Sequence, residues 1–226
     1  MFRRYAIYYT PEPGSALAVF GASWLGWDSA TGAPVSDPAA DGVDRAAITD
    51  TPRKYGFHGT IKPPFRLADG HRPDALAQAL AALCADAAPV TLDGLHLARL
   101  GRFLALVPEG DMAALACLAA RAVQELDGFR APLTDAELAK RRAARLTPEQ
   151  DALLVLWGYP YVLDAFRFHL TLTGRLDPDT ATRAEAVLAP QLAKLSLSPY
   201  TINGLTLLGE DETGSFHQIS RHRLTA

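Results

Sequence analysis

Phe57-His58-Gly59-Thr60-Ile61 and Phe168-His169-Leu170-Thr171-Leu172 repeat one pattern, Phe-His-x-Thr-aliphatic, about half a chain length apart in a sequence of 226 residues. In a strand, successive side chains point to opposite faces. His58 and Thr60 therefore share one face, with Phe57, Gly59 and Ile61 on the other. His169, Thr171 and Thr173 share a face in the same way, backed by Phe168, Leu170 and Leu172. Apolar residues behind and polar residues in front suit a strand that lines a cleft. Six histidines and sixteen threonines give about 0.4 His-x-Thr triplets by chance, and two by chance only about one time in fifteen. The shared flanks and the half-chain spacing make accident a still poorer explanation.

Outward from the two motifs, each half has the same order of elements. The first motif is expected as a short strand, Gly56 to Ile61, closed by Pro63-Pro64 because proline cannot donate to a ladder. An Ala/Leu helix from Pro73 to Ala87 follows, then an antiparallel pair, Val90 to Leu97 and Phe103 to Val107. The second motif reads as a strand from Phe166 to Thr173, followed by a helix from Pro178 to Lys194 and a pair, Ile202 to Leu208 and Phe216 to Ser220. Before the first motif come a strand, Tyr5 to Thr10, and a helix capped by Ser15. Asp28 to Asp44, within the stretch 28–50, reads as a surface loop of the kind that can close as a lid. Between the halves, Asp111 to Leu126 has helical spacing, and Thr134–Glu137 and Thr147–Gln150 are capping-box starts. The expected fold is α+β: two pseudo-symmetric lobes, each a small mostly antiparallel sheet with helices on its outer face, around a central cleft. Residues 1–226 form one bilobal domain with lobes near 1–110 and 111–226, strand exchange between them being allowed.

Two histidines facing each other across a cleft suit acid–base chemistry on a phosphodiester. One group must deprotonate water and another, across the phosphorus, must protonate the leaving oxygen. Histidine is the side chain best poised for either near neutral pH, and each transfer is worth ~10²–10⁴-fold in rate. Threonine hydroxyls can hold the phosphoryl oxygens and stabilise the charge that builds there. His58 and His169 are thus the candidate catalytic pair, and Thr60 and Thr171 the candidate phosphate ligands. Tyr55, Lys62 and Arg167 are candidate substrate contacts; Lys62 and Arg167 sit at alternation positions on the histidine faces. Lys54, Tyr159 and Tyr161 are weaker candidates. The run Lys140-Arg141-Arg142, with Arg145, is expected as a solvated helix face; at a cleft mouth it would instead favour a multiply charged substrate or RNA. His217 and His222 fit no zinc spacing, so no metal and no cofactor are expected. His71 and His96 read as surface or structural histidines.

The paired motifs resemble the two-histidine phosphoesterase superfamily, which includes RNA ligase-like and cyclic phosphodiesterase members. That resemblance implies a bilobal α+β fold, a water-filled cleft and metal-free hydrolysis of cyclic phosphates or 2′-linked esters. The run Arg-Lys-Tyr-Gly-Phe-His-Gly-Thr-Ile-Lys-Pro-Pro-Phe at 53–65, with the opening Arg-Tyr-Ala-Ile-Tyr-Tyr, is similar to a bacterial branch associated with phosphonate metabolism. It implies a small sugar cyclic phosphate, such as phosphoribosyl 1,2-cyclic phosphate, as substrate. Two alternatives stay open: processing of RNA 2′,3′-cyclic ends or 2′–5′ linkages, and a sensor that binds a phosphorylated ligand without turnover.

Composition sets the outer bounds. About half the residues are hydrophobic and about a fifth charged, which allows a sizeable core. The net charge of −3 gives no broad footprint for long nucleic acid, so the expected partner is a small phosphorylated substrate, with RNA second. No run approaches the ~20 apolar residues of a membrane span, and Met1 to Tyr5 lacks signal-peptide character. A cytoplasmic location without membrane contact is expected, and the oligomeric state is not readable. Cys84 and Cys117 are expected as two small buried thiols.

Overall fold

The computed structural model describes residues 2–36 and 42–226. In chain order its elements are β1 (Arg4–Tyr9), α1 (Ala16–Leu25), β2 (Trp27–Asp28), β3 (Ala33–Pro34), α2 (Arg45–Arg53), β4 (Gly59–Phe65), α3 (Pro73–Ala85), β5 (Val90–Leu92), β6 (Gly94–Leu100), β7 (Phe103–Glu109) and α4 (Ala113–Glu125). They continue with α5 (Asp135–Arg142), α6 (Pro148–Trp157), β8 (Leu170–Thr171), α7 (Pro178–Leu192), β9 (Tyr200–Ile202), β10 (Gly204–Glu210) and β11 (Phe216–Arg223). The fold is mixed α and β around a large antiparallel sheet. No helix among the described residues is long and apolar enough to cross a membrane.

Several boundaries follow from local hydrogen bonding. Ser15 accepts from the Ala18 N–H and so starts α1. Thr134 with Glu137, and Thr147 with Gln150, each form a reciprocal capping box that satisfies backbone donors left free at a helix start. The loop expected over Asp28 to Asp44 is more structured than its composition suggests. Trp27–Asp28 and Ala33–Pro34 pair as a short hairpin, and Asp44 caps α2; residues 37–41 of that stretch lie outside the described residues. Cys84 is buried as expected, but Cys117 is exposed on α4, so the pair of buried thiols is corrected to one.

Seven strands form the main sheet in the order β11-β10-β1-β4-β8-β7-β6. The two motif strands, β4 and β8, are neighbours at its centre, joined by the antiparallel pair Gly59 and Leu170. The hairpin that follows β4 in sequence, β6–β7, attaches to β8. The hairpin that follows β8, β10–β11, attaches to β1 and through it to β4. Each half of the chain thus lays its hairpin beside the other half's histidine strand. The sides of the sheet do not coincide with residues 1–110 and 111–226.

One face of the sheet carries the main core. Ile7, Ile61, Leu104, Leu106, Leu172, Leu205 and Leu207 pack against Leu76 and Leu80 of α3, Leu115 and Leu118 of α4, and Ala184 and Leu188 of α7. Each fully buried leucine or isoleucine contributes about 1.5–3 kcal/mol relative to exposure. Among the described residues the opposite face holds a small cluster, Ala6, Tyr8, Leu208 and Phe216, with Tyr55 packed on it. It is left free to form a cleft.

The strand expected to end at Pro63-Pro64 instead starts later and runs through both prolines to Phe65. Its register against β1 slips twice, between the pairs Tyr8–Thr60 and Ile7–Lys62 and again before Tyr5–Phe65. The prolines lie in this irregular stretch, where no regular ladder needs their missing N–H. The strand expected over Phe166 to Thr173 shrinks to Leu170–Thr171, because only there does it pair with β4 and β7.

Gly59 answers to a neighbour on the core face. A Cβ at this position would lie 2.3 Å from the Phe168 ring. Gly59→Ala is therefore expected to lower unfolding free energy by about 1–3 kcal/mol through overpacking, measured by urea denaturation; a variant as stable as the parent would show that Phe168 does not lock the two motif strands together.

Candidate active site

The central strand pair sets the geometry. Continuing the antiparallel register of Gly59 and Leu170 by one residue places His58 opposite Thr171 and Thr60 opposite His169. Residues opposed in this way carry their side chains on the same face with Cβ atoms about 4.5–5.5 Å apart. Two His and two Thr thus converge on the cleft face, the histidines on one diagonal and the threonines on the other. The backbone behind them, Gly59 and Leu170, belongs to the core face.

Both imidazoles are tethered alike. His58 Nδ1 lies 2.8 Å from the Gly56 carbonyl, and His169 Nδ1 lies 2.9 Å from the Arg167 carbonyl, in each case two residues upstream. A carbonyl can only accept, so Nδ1 of each ring carries the hydrogen and Nε2 is left as the reactive nitrogen. His58 Nε2 meets the Thr60 hydroxyl at 3.2 Å. The Gly56 carbonyl reaches His58 because Gly56 takes a left-handed φ of 72°, a conformation that favours glycine. Tyr8, opposite Thr60 on β1, stacks on His58 with ring centroids 3.7 Å apart and fixes the ring plane. Phe103 lies 5.6 Å from the His169 ring.

Burial governs the protonation of both rings. It pushes His58 down to about 4, against the opposing bond to Gly56, and the charge of nearby His169 adds to the fall. His169 is also lowered by burial, with the Arg167 carbonyl opposing. At neutral pH both are free bases.

The cleft, of about 1080 Å³, is lined by His58, Thr60 and Thr171, with Tyr8, Tyr55 and Phe103 beside them. Its other walls come from Arg4 of β1 and from residues 131–161, including Glu137, Lys140, Arg141 and Tyr159. Tyr55 stacks on Phe216 at 5.1 Å and lies 6.1 Å from His58, beside the cleft. Tyr159 and Tyr161 also line the cleft.

Two expected contacts do not reach it. The bulge between Thr60 and Lys62 breaks the alternation, so Lys62 pairs with Ile7 and turns to the core face. There its ammonium donates to the Val123 carbonyl at 2.9 Å and to Asp127 at 3.1 Å, and burial pushes it down to about 8. Arg167 precedes the paired part of its strand, so no ladder holds its side chain toward the cleft. The guanidinium is exposed and donates to the Asp164 and Phe166 carbonyls; its own carbonyl, not its charge, serves His169. The basic run also departs from a purely solvated face. Arg142 turns outward to Asp151 at 2.6 Å, whereas Lys140 and Arg141 line the cleft. Arg4, Tyr8 and Phe103 were not singled out from the sequence. Arg4 and Tyr8 share a face of β1 by simple alternation, but nothing local in the sequence aligns that strand beside His58.

Elsewhere the remaining histidines have structural partners. His71 packs on Phe129, His96 faces Glu109, His217 contacts Asp211 and His222 contacts Ser220.

Lys62→Met is expected to cost about 1–3 kcal/mol of stability, because the Val123 carbonyl and Asp127 lose a donor, while Asp127 keeps both bonds from Arg130. Inorganic phosphate binding, read by calorimetry, is expected to be unaltered; a loss of phosphate affinity without loss of stability would return Lys62 to the site.

Comparison with known proteins gives a family and a set of likenesses. A family model described as "Protein of unknown function (DUF1045)" matches residues 60–217. The chain is 41% identical over 219 residues to a protein named ribose 1,5-bisphosphate phosphokinase PhnN from Janthinobacterium sp. (strain Marseille), over 94% of this chain and 48% of that one. It is 35% identical over 233 residues to a protein of the same name from Laribacter hongkongensis (strain HLHK9), over 96% of this chain and 51% of that one. The chain thus spans about half the length of the curated relatives it matches. Among solved structures, E. coli LigT complexed with 3′-AMP is similar at 13% identity over 100% of both chains, with a TM-score of 0.46. TT0787 of Thermus thermophilus is similar at 16% identity over 98% of this chain and 97% of that one, with a TM-score of 0.38.

Proposed function

The chain belongs to the DUF1045 family, and from that premise we propose that it is a phosphoesterase that opens a cyclic phosphodiester with His58 and His169 as its acid–base pair. The observation that carries this reading is the central strand pair, whose register supports two histidines and two threonines on one face of the sheet, where His58, Thr60 and Thr171 line the cleft. In the proposed reaction one Nε2 takes a proton from water as the water attacks phosphorus. The P–O bond to the leaving oxygen breaks on the opposite side, and the other imidazole supplies the proton to that oxygen. The Thr60 and Thr171 hydroxyls donate to the non-bridging oxygens, where charge grows in the transition state. The carbonyls of Gly56 and Arg167 hold each ring with Nε2 outward and stabilise the imidazolium when it forms. The pair is symmetric enough for the roles to exchange with the leaving group.

The finer proposal is a small ribose-derived cyclic phosphate linked to phosphonate metabolism. The name of the curated relatives, a ribose 1,5-bisphosphate phosphokinase, supports a ribose phosphate as the compound handled. The kinase chemistry in that name is assigned here to the half of those proteins that this chain does not span. A nucleotide-cradling G-x-x-x-x-G-K-[ST] loop requires a Gly-Lys pair, and this sequence has none. A second reading, action on RNA ends, draws on Lys140 and Arg141 at the cleft wall; steeply salt-dependent oligonucleotide binding would favour it.

Turnover of ribose 1,2-cyclic phosphates and nucleoside 2′,3′-cyclic phosphates is expected to persist in excess EDTA. It is expected to fall by ~10²–10⁴-fold in His58→Ala and in His169→Ala. Activity abolished by EDTA, or kept in both variants, would sink the acid–base pair. The pH profile follows from the lowered pKa values. The base must be neutral, so activity fails as pH falls through about 4; the acid must be protonated, so activity fails as pH rises through a value below the ordinary 6.5. With adenosine 2′,3′-cyclic phosphate, kcat/KM is expected to be bell-shaped with its maximum between those limits, the two apparent values belonging to the pair. An optimum above pH 7 would contradict the neutral, buried state of the two rings.

A further inference from the structure

The four proposed catalytic groups account for one phosphate, yet the cleft of about 1080 Å³ is at the top of the range for whole small-molecule sites. Its lining has five basic side chains, Arg4, Arg66, Lys140, Arg141 and Arg175, against one acidic, Glu137. Two of the five are already engaged. Arg4 makes two bonds to Glu210, and Arg66 makes two to Glu137. Arg141 differs. Among the described residues it makes no ion pair; its guanidinium rests 4.8 Å from the centroid of the Tyr159 ring and is only partly exposed.

The guanidinium is held against an aromatic ring at the cleft wall; Glu137 is near enough to attract it, but that carboxylate is bonded to Arg66, so the partial burial of Arg141 favours a further anion. Its flat fork of donors matches a phosphate dianion in a two-point bond. The wall between it and the catalytic centre is aromatic: Tyr8 stacks on His58, and Tyr55 and Tyr159 continue the lining. On the reading that this cleft opens cyclic phosphates, we infer that Arg141, seated on Tyr159 and flanked by Lys140, binds a second, terminal phosphate of the substrate. Arg141 is then the residue that selects a phosphoribosyl cyclic phosphate over a ribose cyclic phosphate without the far-end phosphomonoester.

The direct test compares ribose 1,2-cyclic phosphate with and without a 5-phosphate. The parent protein is expected to prefer the 5-phosphorylated compound in kcat/KM by about 10- to 100-fold, the worth of a charged hydrogen-bonded contact. Arg141→Gln is expected to erase most of that preference, and Arg141→Lys to keep part of it. Equal use of the two compounds by the parent, an undiminished preference in Arg141→Gln, or a stronger preference for an oligonucleotide ending in a cyclic phosphate would each overturn the inference. A calorimetric titration with ribose 5-phosphate separates this inference from the reading it rests on. Binding is expected to survive in the His58→Ala/His169→Ala double variant and to weaken at least about tenfold in Arg141→Gln. Binding lost with the histidines and kept in Arg141→Gln would overturn the subsite. Failure of the parent to hydrolyse either compound would defeat the phosphoesterase reading, and the titration would still decide the role of Arg141.

Discussion

Everything at the site depends on one backbone contact, the antiparallel pairing of Gly59 with Leu170 at the centre of the sheet. It joins a strand from each half of the chain and fixes which residues of the two motifs oppose each other. A slip of one residue would send His169 and Thr171 to the core face. The slip is resisted from behind, where Phe168 covers Gly59 and Leu170 is fully buried against Leu106 and its neighbours. The chemistry in front is held by apolar packing at the back.

The exchange of hairpins makes that contact hard to loosen. β6–β7 belongs in sequence to the first motif but is bonded to the second motif's strand, and β10–β11 is bonded through β1 to the first. Pulling the motif strands apart would also pull each hairpin from the helices that pack on it. The small pair β5–β9 adds another link between early and late parts of the chain. A site that needs its groups held to within about half an ångström benefits from such a floor.

Electrostatic roles are divided between the two faces. On the cleft face, burial keeps His58 and His169 as free bases, while backbone carbonyls rather than carboxylates hold their Nδ1 atoms. Among the described residues, no acidic side chain therefore competes with an incoming phosphate at the rings themselves. The one deeply buried ammonium of the motif strand, Lys62, is turned to the core face and tied to Asp127, which Arg130 also grips. Arg141 remains at the wall with an aromatic support and, among the described residues, no ion pair.

The sequence by itself determined the two His-x-Thr faces, the helix starts at Ser15, Thr134 and Thr147, and the α+β class. These rest on strand alternation, side-chain caps and hydrophobic period, all of which act within a few residues. It misjudged Lys62, Arg167 and the reach of the strand past Pro63-Pro64, because a bulge and a missing ladder partner are properties of the neighbouring strand. Nor does anything local in the sequence bring Tyr8 onto His58, or Arg141 to the same cleft. Only the tertiary structure decided those placements, since the register of distant strands and the crossing of hairpins are fixed by burying a shared core, a constraint that no single segment carries.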